Sequence, residues 1–189
     1  LTTADLDLNA FGSTALYAIT TITCFAVVGS VVLKVSGSDI RAFLPSMMFA
    51  NSGNMGLPLC LLAFGEPGLV LAIVYFTVSA VCQFTVGMMI SSGTISLAGL
   101  ARVPILYAVF AAVVFVVLEI ETPAIIANTT EILGGMTIPM MLITLGVSLA
   151  RLRVSALPRS SALSLLRLTM GFPVGVGMAA LLGLEGMER

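Results

Sequence analysis

Histidine is absent from the 189 residues of this chain. That excludes HExxH-type zinc sites, Ser-His dyads and imidazole proton relays within it. Charge is scarce as well: 9% of residues are charged and 59% hydrophobic, with a mean hydropathy of +1.15, whereas about a quarter of the residues of a soluble domain are charged. The chain therefore reads as an integral membrane protein. No Asp or Glu falls near the centre of any predicted span, which removes aspartyl-type intramembrane proteolysis, and no Walker-type glycine loop occurs. Cys24, Cys60 and Cys82 each lie inside a predicted span without metal-site or disulfide spacing, so they read as small apolar fillers. Neutral polar groups and free helix ends remain. They suit binding and release of a solute rather than covalent catalysis, so no enzyme, cofactor or metal site is expected.

A hydrocarbon core about 30 Å thick takes about 20 apolar residues per helix. Polar punctuation divides the sequence into six such stretches, 15–33, 43–64, 69–90, 104–118, 132–150 and 161–184, forming one transmembrane domain over 1–189. The expected fold class is an all-α polytopic helix bundle. Lys34, Arg41, Arg102, Arg151, Arg153, Arg159 and Arg167 fall on one side of these spans, which the positive-inside rule makes cytoplasmic. Asp5, Asp7, Glu66, Glu119, Glu121, Glu131, Glu185 and Glu188 fall on the other, leaving Asp39 and Arg189 out of place. Both ends of the chain are expected outside the cytoplasm. The first residue is Leu and no basic n-region precedes the first span. No signal peptide is expected, and the chain is expected to be part of a longer one.

The richest segment is Asn51-Ser52-Gly53-Asn54-Met55-Gly56-Leu57-Pro58, which sets two amides, two glycines and a proline inside the second span. Pro58 lacks a backbone donor and clashes with the preceding turn, so the span should break or unwind between Asn51 and Pro58. Broken backbone at membrane depth persists only where it is packed in protein or lines a wet cavity. Asn51 and Asn54 could serve as interhelical hydrogen-bond glue. The glycines and Pro58 favour the other reading, a discontinuous helix at a transporter binding site, where unpaired N–H groups attract an anion without a buried cation.

Gln83, on the third span with Thr77 and Ser79, could reach the broken segment or act as glue. Thr137, Pro139 and Thr144 on the fifth span are weaker candidates, because a membrane threonine commonly bonds back to its own helix. Arg167, about two turns from the cytoplasmic end, reads as a snorkelling residue, and Met47-Met48, Met88-Met89 and Met140-Met141 as packing. Ser36-Gly37-Ser38-Asp39 and Gly65-Glu66-Pro67-Gly68 are turn signals, the second short enough to make its flanking spans antiparallel neighbours. Gly134-Gly135 and Pro139 should loosen the fifth helix. An outer loop is expected over 119–131, and within it Asn128-Thr129-Thr130 forms a glycosylation sequon.

The run NSGNMGLPL followed by Phe64-Gly65, and Thr137-Ile138-Pro139-Met140-Met141-Leu142-Ile143 leading to Leu145-Gly146-Val147-Ser148-Leu149-Ala150, resembles the auxin efflux carrier family of permeases, especially its microbial branch. The resemblance implies a ten-helix fold of two inverted five-helix repeats, each with a broken helix crossing at the midplane. This chain then looks like helices three to eight, with 43–64 as the first broken helix. It also implies organic anions as substrates, auxin in plant members and malate- or malonate-like carboxylates in microbial ones. Asn51, Asn54 and Pro58 of the crossover are implied as substrate-binding residues, with Gly53 and Gly56 as the permissive positions.

The resulting expectation is a secondary carrier of small organic anions working by alternating access, with Asn51, Gly53, Asn54, Gly56, Pro58, Gln83 and Thr137 as candidate binding residues. Its partners would be a small organic anion and the lipid bilayer, not nucleic acid, with a homo-oligomer allowed, and its place the plasma (cell inner) membrane as a multi-pass protein. The rival is a non-transporting assembly or scaffold protein whose polar kink is a packing device.

Overall fold

A computed structural model describes residues 8–94, 99, 101–118, 122–151 and 157–183. All regular secondary structure among them is helical. Asp5, Asp7, Glu119, Glu121, Arg153, Glu185, Glu188 and Arg189, on which part of the charge pattern rests, lie outside the described residues.

Helix α1 (Leu8–Val35) has 28 residues, about 42 Å at 1.5 Å per residue. Thr20, Thr21 and Thr23 bond back into the helix: Thr21 donates to the carbonyls of Tyr17 and Ala18 at 2.8 and 3.0 Å. The expected turn follows, with Gly37 at φ 62° and Asp39 as N-cap of α2 (Ile40–Met48), its carboxylate accepting from the Arg41 N–H at 2.9 Å. Gly29 lets α2 lie close on α1, since a Cβ there would stand 3.1 Å from Met47 Cβ. Ile22, Leu33, Leu44, Met47, Met48 and Phe49 form the buried core, with Leu163 and Leu166 packed against it. Met47-Met48 are thus packing residues, as their composition implied.

A π turn over Ser52–Gly56 leads into α3 (Leu57–Cys82), and a second π turn, Gln83–Gly87, leads into α4 (Met88–Ser92). Gly65 interrupts α3 with φ 69° and ψ −161°. The 53 residues of Ile40–Ser92 would stretch about 80 Å if straight, far beyond a bilayer core. They fold back instead: a Cβ on Gly53 would lie 2.8 Å from Phe76 Cε2, and one on Gly87 would lie 2.9 Å from Phe49 Cε2. In a straight helix Gly53 and Phe76 would be about 35 Å apart. The arms on either side of Gly65 are therefore antiparallel neighbours. Gly93 lies against Arg41, which sets Arg41 and the end of α4 at the same end of the bundle, opposite the Gly65 turn.

Helices α5 (Pro104–Val117), α6 (Ala124–Gly135), α7 (Thr137–Ala150) and α8 (Leu157–Leu181) complete the described bundle. Pro104 opens α5, where its missing donor is one the first turn leaves unpaired anyway. The expected outer loop over 119–131 is corrected here: α6 begins at Ala124 directly after Pro123, so Asn128 lies on a helix. The Thr129 and Thr130 hydroxyls bond back to Ile125 and Ile126 at 2.7 and 2.9 Å. The loosening expected at Gly134-Gly135 is a one-residue interruption at Met136 between α6 and α7. Among the described residues, four stretches are long and apolar enough to cross a membrane: Phe11–Val35, Ile40–Ser92, Ala124–Ala150 and Ser160–Leu181. Outward-facing Leu62, Ile125, Leu168 and Leu181 give the bundle the apolar exterior a lipid solvent favours.

Candidate functional site

The site is built where the polypeptide leaves helical geometry at the end of α2. Phe49 is extended (φ −103°, ψ 120°), its N–H bonded to the Pro45 carbonyl, and Asn51 stands at φ −76°, ψ 59°. Helical geometry resumes as a π turn in which the Asn51 carbonyl accepts from Met55 and Gly56 at 3.3 and 3.2 Å, and the Leu57 N–H reaches back to the Ser52 carbonyl. The break falls at 49–51, slightly before the 51–58 window that the sequence indicated. Pro58 does not stop the helix. It is buried in the first turn of α3, where lacking a donor is harmless. Because Pro58 cannot donate four residues back to Asn54, the turn before it closes five residues back at Leu57.

Two helix ends therefore face each other across a few residues. The N–H groups of Ala50, Asn51 and Ser52 have no backbone acceptor among the described residues, as expected at a helix start, and they carry the partial positive charge of the α3 side. The last carbonyls of α2 carry the opposite sign. One of them, Ser46, accepts from the Arg167 guanidinium on α8. Sequence reasoning missed this contact. Distance from the helix end suggested snorkelling, whereas an unpaired carbonyl inside the bundle is the better partner for the guanidinium.

The Asn51 and Asn54 side chains are exposed and half-buried respectively, and neither amide bonds to another described residue. Among the described residues no buried side-chain nitrogen or oxygen is left unsatisfied, so these amides point into accessible space. Gly53 is a seat for the Phe76 ring and Gly87 for the Phe49 ring, which brings the second π turn against the break. Gly56 has room, its nearest contact for an added Cβ being Ser52 Cβ at 3.6 Å. Gln83 opens the second π turn, is exposed, and makes no side-chain hydrogen bond with a described residue. Thr137 starts α7, the helix packed on the first π turn, but its hydroxyl bonds back to the Leu133 carbonyl at 3.4 Å. Thr144 does the same to Met140 at 2.8 Å.

A groove of about 370 Å3 runs between α1 and α8 beside Ile19, Val27 and Met178. Its Thr20 and Thr23 hydroxyls are spent on the carbonyls of Leu16 and Ile19 at 2.9 and 2.7 Å, leaving it nothing to offer a polar solute. A smaller cavity of about 230 Å3 lies between α2 and α8 beside Arg167.

A family model described as membrane transport protein, that of the auxin efflux carrier permeases, matches residues 86–188, more than half of the chain. The chain belongs to this family. It is a multi-pass membrane transport protein, and the match runs from the second π turn through α8, while the interrupted segment lies outside it, on the far side of α3. No curated protein and no solved structure matches the chain.

Proposed function

We propose that this membrane transport protein carries small organic anions, malate- or malonate-like carboxylates, by alternating access, and that the interrupted segment Asn51–Pro58 is part of its substrate site. One observation carries this reading: Asn51 and Asn54 present unpaired, accessible amides next to unpaired N–H groups at a helix start. A packing device would spend those amides on neighbouring helices, and they are not so spent. The scaffold reading loses its main support there. The arrangement offers donors and partial positive charge without a buried cation, which is what a carboxylate needs and what lets it leave again.

In this reading six spans cross the plasma membrane, with Lys34, Arg41, Arg102 and Arg151 on the cytoplasmic side. Single cysteines at Ser36 and Thr94 then react with an impermeant thiol reagent from the cytoplasm, and cysteines at Glu66 and Pro123 from the opposite face. Labelling of Thr94 and Pro123 from one face would overturn the six-span arrangement. Function itself is tested by uptake of radiolabelled malate and malonate into proteoliposomes holding the complete protein. Accumulation above empty liposomes that saturates with substrate supports the reading. Its absence across a panel of small carboxylates, in protein that is folded and inserted, contradicts it.

A further inference from the structure

Arg167 takes no part in the broken-helix site beyond its bond to the Ser46 carbonyl. It is half-buried on α8, its guanidinium donates to the Ser46 carbonyl, and its Cζ stands 5.6 Å from the Phe25 ring centroid. No carboxylate among the described residues pairs with it. A guanidinium has five N–H donors, and one is used on Ser46. The cavity of about 230 Å3 beside it is bordered by Phe43, Ser46 and Met47 from α2 and by Ser160, Leu163, Ser164 and Arg167 from α8.

Ser160, Ser164 and Arg167 follow one another at spacings of four and three residues and so share a helix face. Thr20, Thr21, Thr23, Thr85, Thr144 and Thr169 bond back to their own helices, whereas the Ser160 and Ser164 hydroxyls have no bond to a described residue. A fixed cation without a counter-ion and two uncommitted hydroxyls on one cavity wall make an anion site. A water occupies about 30 Å3 of liquid and drug-sized pockets start near about 300 Å3. The space therefore suits a short carboxylate and is too small for a large aromatic acid.

We propose that this α2–α8 cavity is a second carboxylate subsite, with Arg167 as its anchor and Ser160 and Ser164 as donors. It lies on the basic side of the break, where a substrate would pause between the cytoplasm and Asn51. The proposal rests on the organic-anion reading above and adds to it a site that the interrupted segment does not contain.

The test is malate-dependent thermal stabilisation of the complete protein in maltoside micelles free of phospholipid, since a ligand bound to the folded state raises the melting temperature as its concentration passes Kd. The double variant Ser160→Ala/Ser164→Ala removes hydroxyls on which the fold does not depend. It should melt at the wild-type temperature without malate and need at least about tenfold more malate for the same shift. Arg167→Lys keeps a donor for Ser46 but loses the fork geometry, and should also need more malate. Malate stabilising wild type and both variants alike would overturn the subsite and leave the carrier reading standing. Failure of every small carboxylate to stabilise or cross with the wild type would overturn the carrier reading and the subsite with it. Added phosphatidylglycerol that stabilises the protein and is not displaced by malate would assign the cavity to a lipid headgroup and overturn the proposal.

Discussion

The two π turns described in this bundle, Ser52–Gly56 and Gln83–Gly87, are alike in length and in holding a glycine that seats a phenylalanine ring, yet only the first follows a break in the helix. Their causes differ. The first precedes Pro58, which cannot donate to Asn54 and so shifts the closing bond by one residue. The second has no proline; there the Thr85 hydroxyl takes the Val81 carbonyl at 2.6 Å and approaches the Cys82 carbonyl at 3.3 Å, competing with the backbone for acceptors. The second turn also flows out of α3 with Cys82 in ordinary helical geometry, and the Gln83 backbone N–H donates to the Ser79 and Ala80 carbonyls. The first follows extended backbone and begins with unpaired donors. Widening a helix makes room for a ring; ending and restarting one frees charge-bearing groups.

The largest expected effect separates the two turns electrostatically. Asn54→Asp places a carboxylate beside an anionic substrate, a repulsion on the order of 4 kcal/mol at 4 Å with an effective dielectric of about 20. Asn54→Ala deletes one neutral donor worth about 0.5–1.5 kcal/mol. Malate uptake should therefore fall much further with Asp than with Ala, and the Asp defect should ease as pH drops and the new carboxyl takes up a proton. Gln83→Glu, at the turn without a helix end, should cost little. Equal losses at the two positions would erase the distinction.

Next come the ring seats. Gly53→Ala and Gly87→Ala each push a Cβ to within 3 Å of a phenylalanine ring, and overpacking of this kind costs about 1–3 kcal/mol, reduced by about 1 kcal/mol of gained helix propensity. Both should lower the melting temperature. Pairing Gly87→Ala with Phe49→Leu, or Gly53→Ala with Phe76→Leu, should give a strongly non-additive cycle. Additive losses would mean the rings are not what the glycines accommodate. The smallest effect is expected from Pro58→Ala, which restores a donor and should let the first turn relax toward α geometry. It should change the melting temperature by no more than a hydrogen bond's worth, about 1 kcal/mol, while slowing malate uptake. A large loss of stability would show that the proline ring itself is needed for packing.

Much of this was legible in the residues because membrane segments tolerate so few polar groups. The interruption near Asn51, the turn at Gly65 and the N-cap at Asp39 each follow from a short local pattern. The displacement of the break to 49–51 was not legible, because it depends on Phe49 reaching the Gly87 notch 38 residues away. Nor was the second π turn, whose only local hints are Thr85 and Gly87. The extent of α6 was misread because Glu121 and Pro123 resemble loop punctuation, although a proline before the first helical residue starts a helix as readily as it ends one. Arg167 was misplaced for a similar reason: spacing along α8 gives its depth, while its partner, the Ser46 carbonyl, belongs to another helix.

Amide hydrogen exchange of the complete protein, with and without saturating malate, tests the central claim that unpaired donors at the break receive the substrate. The N–H groups of Ala50, Asn51 and Ser52 should exchange fast in the free protein and slow markedly with malate, while those of Gln83–Gly87 stay unchanged. Exchange at residues 50–52 that malate leaves untouched, in protein shown to transport it, would contradict the account.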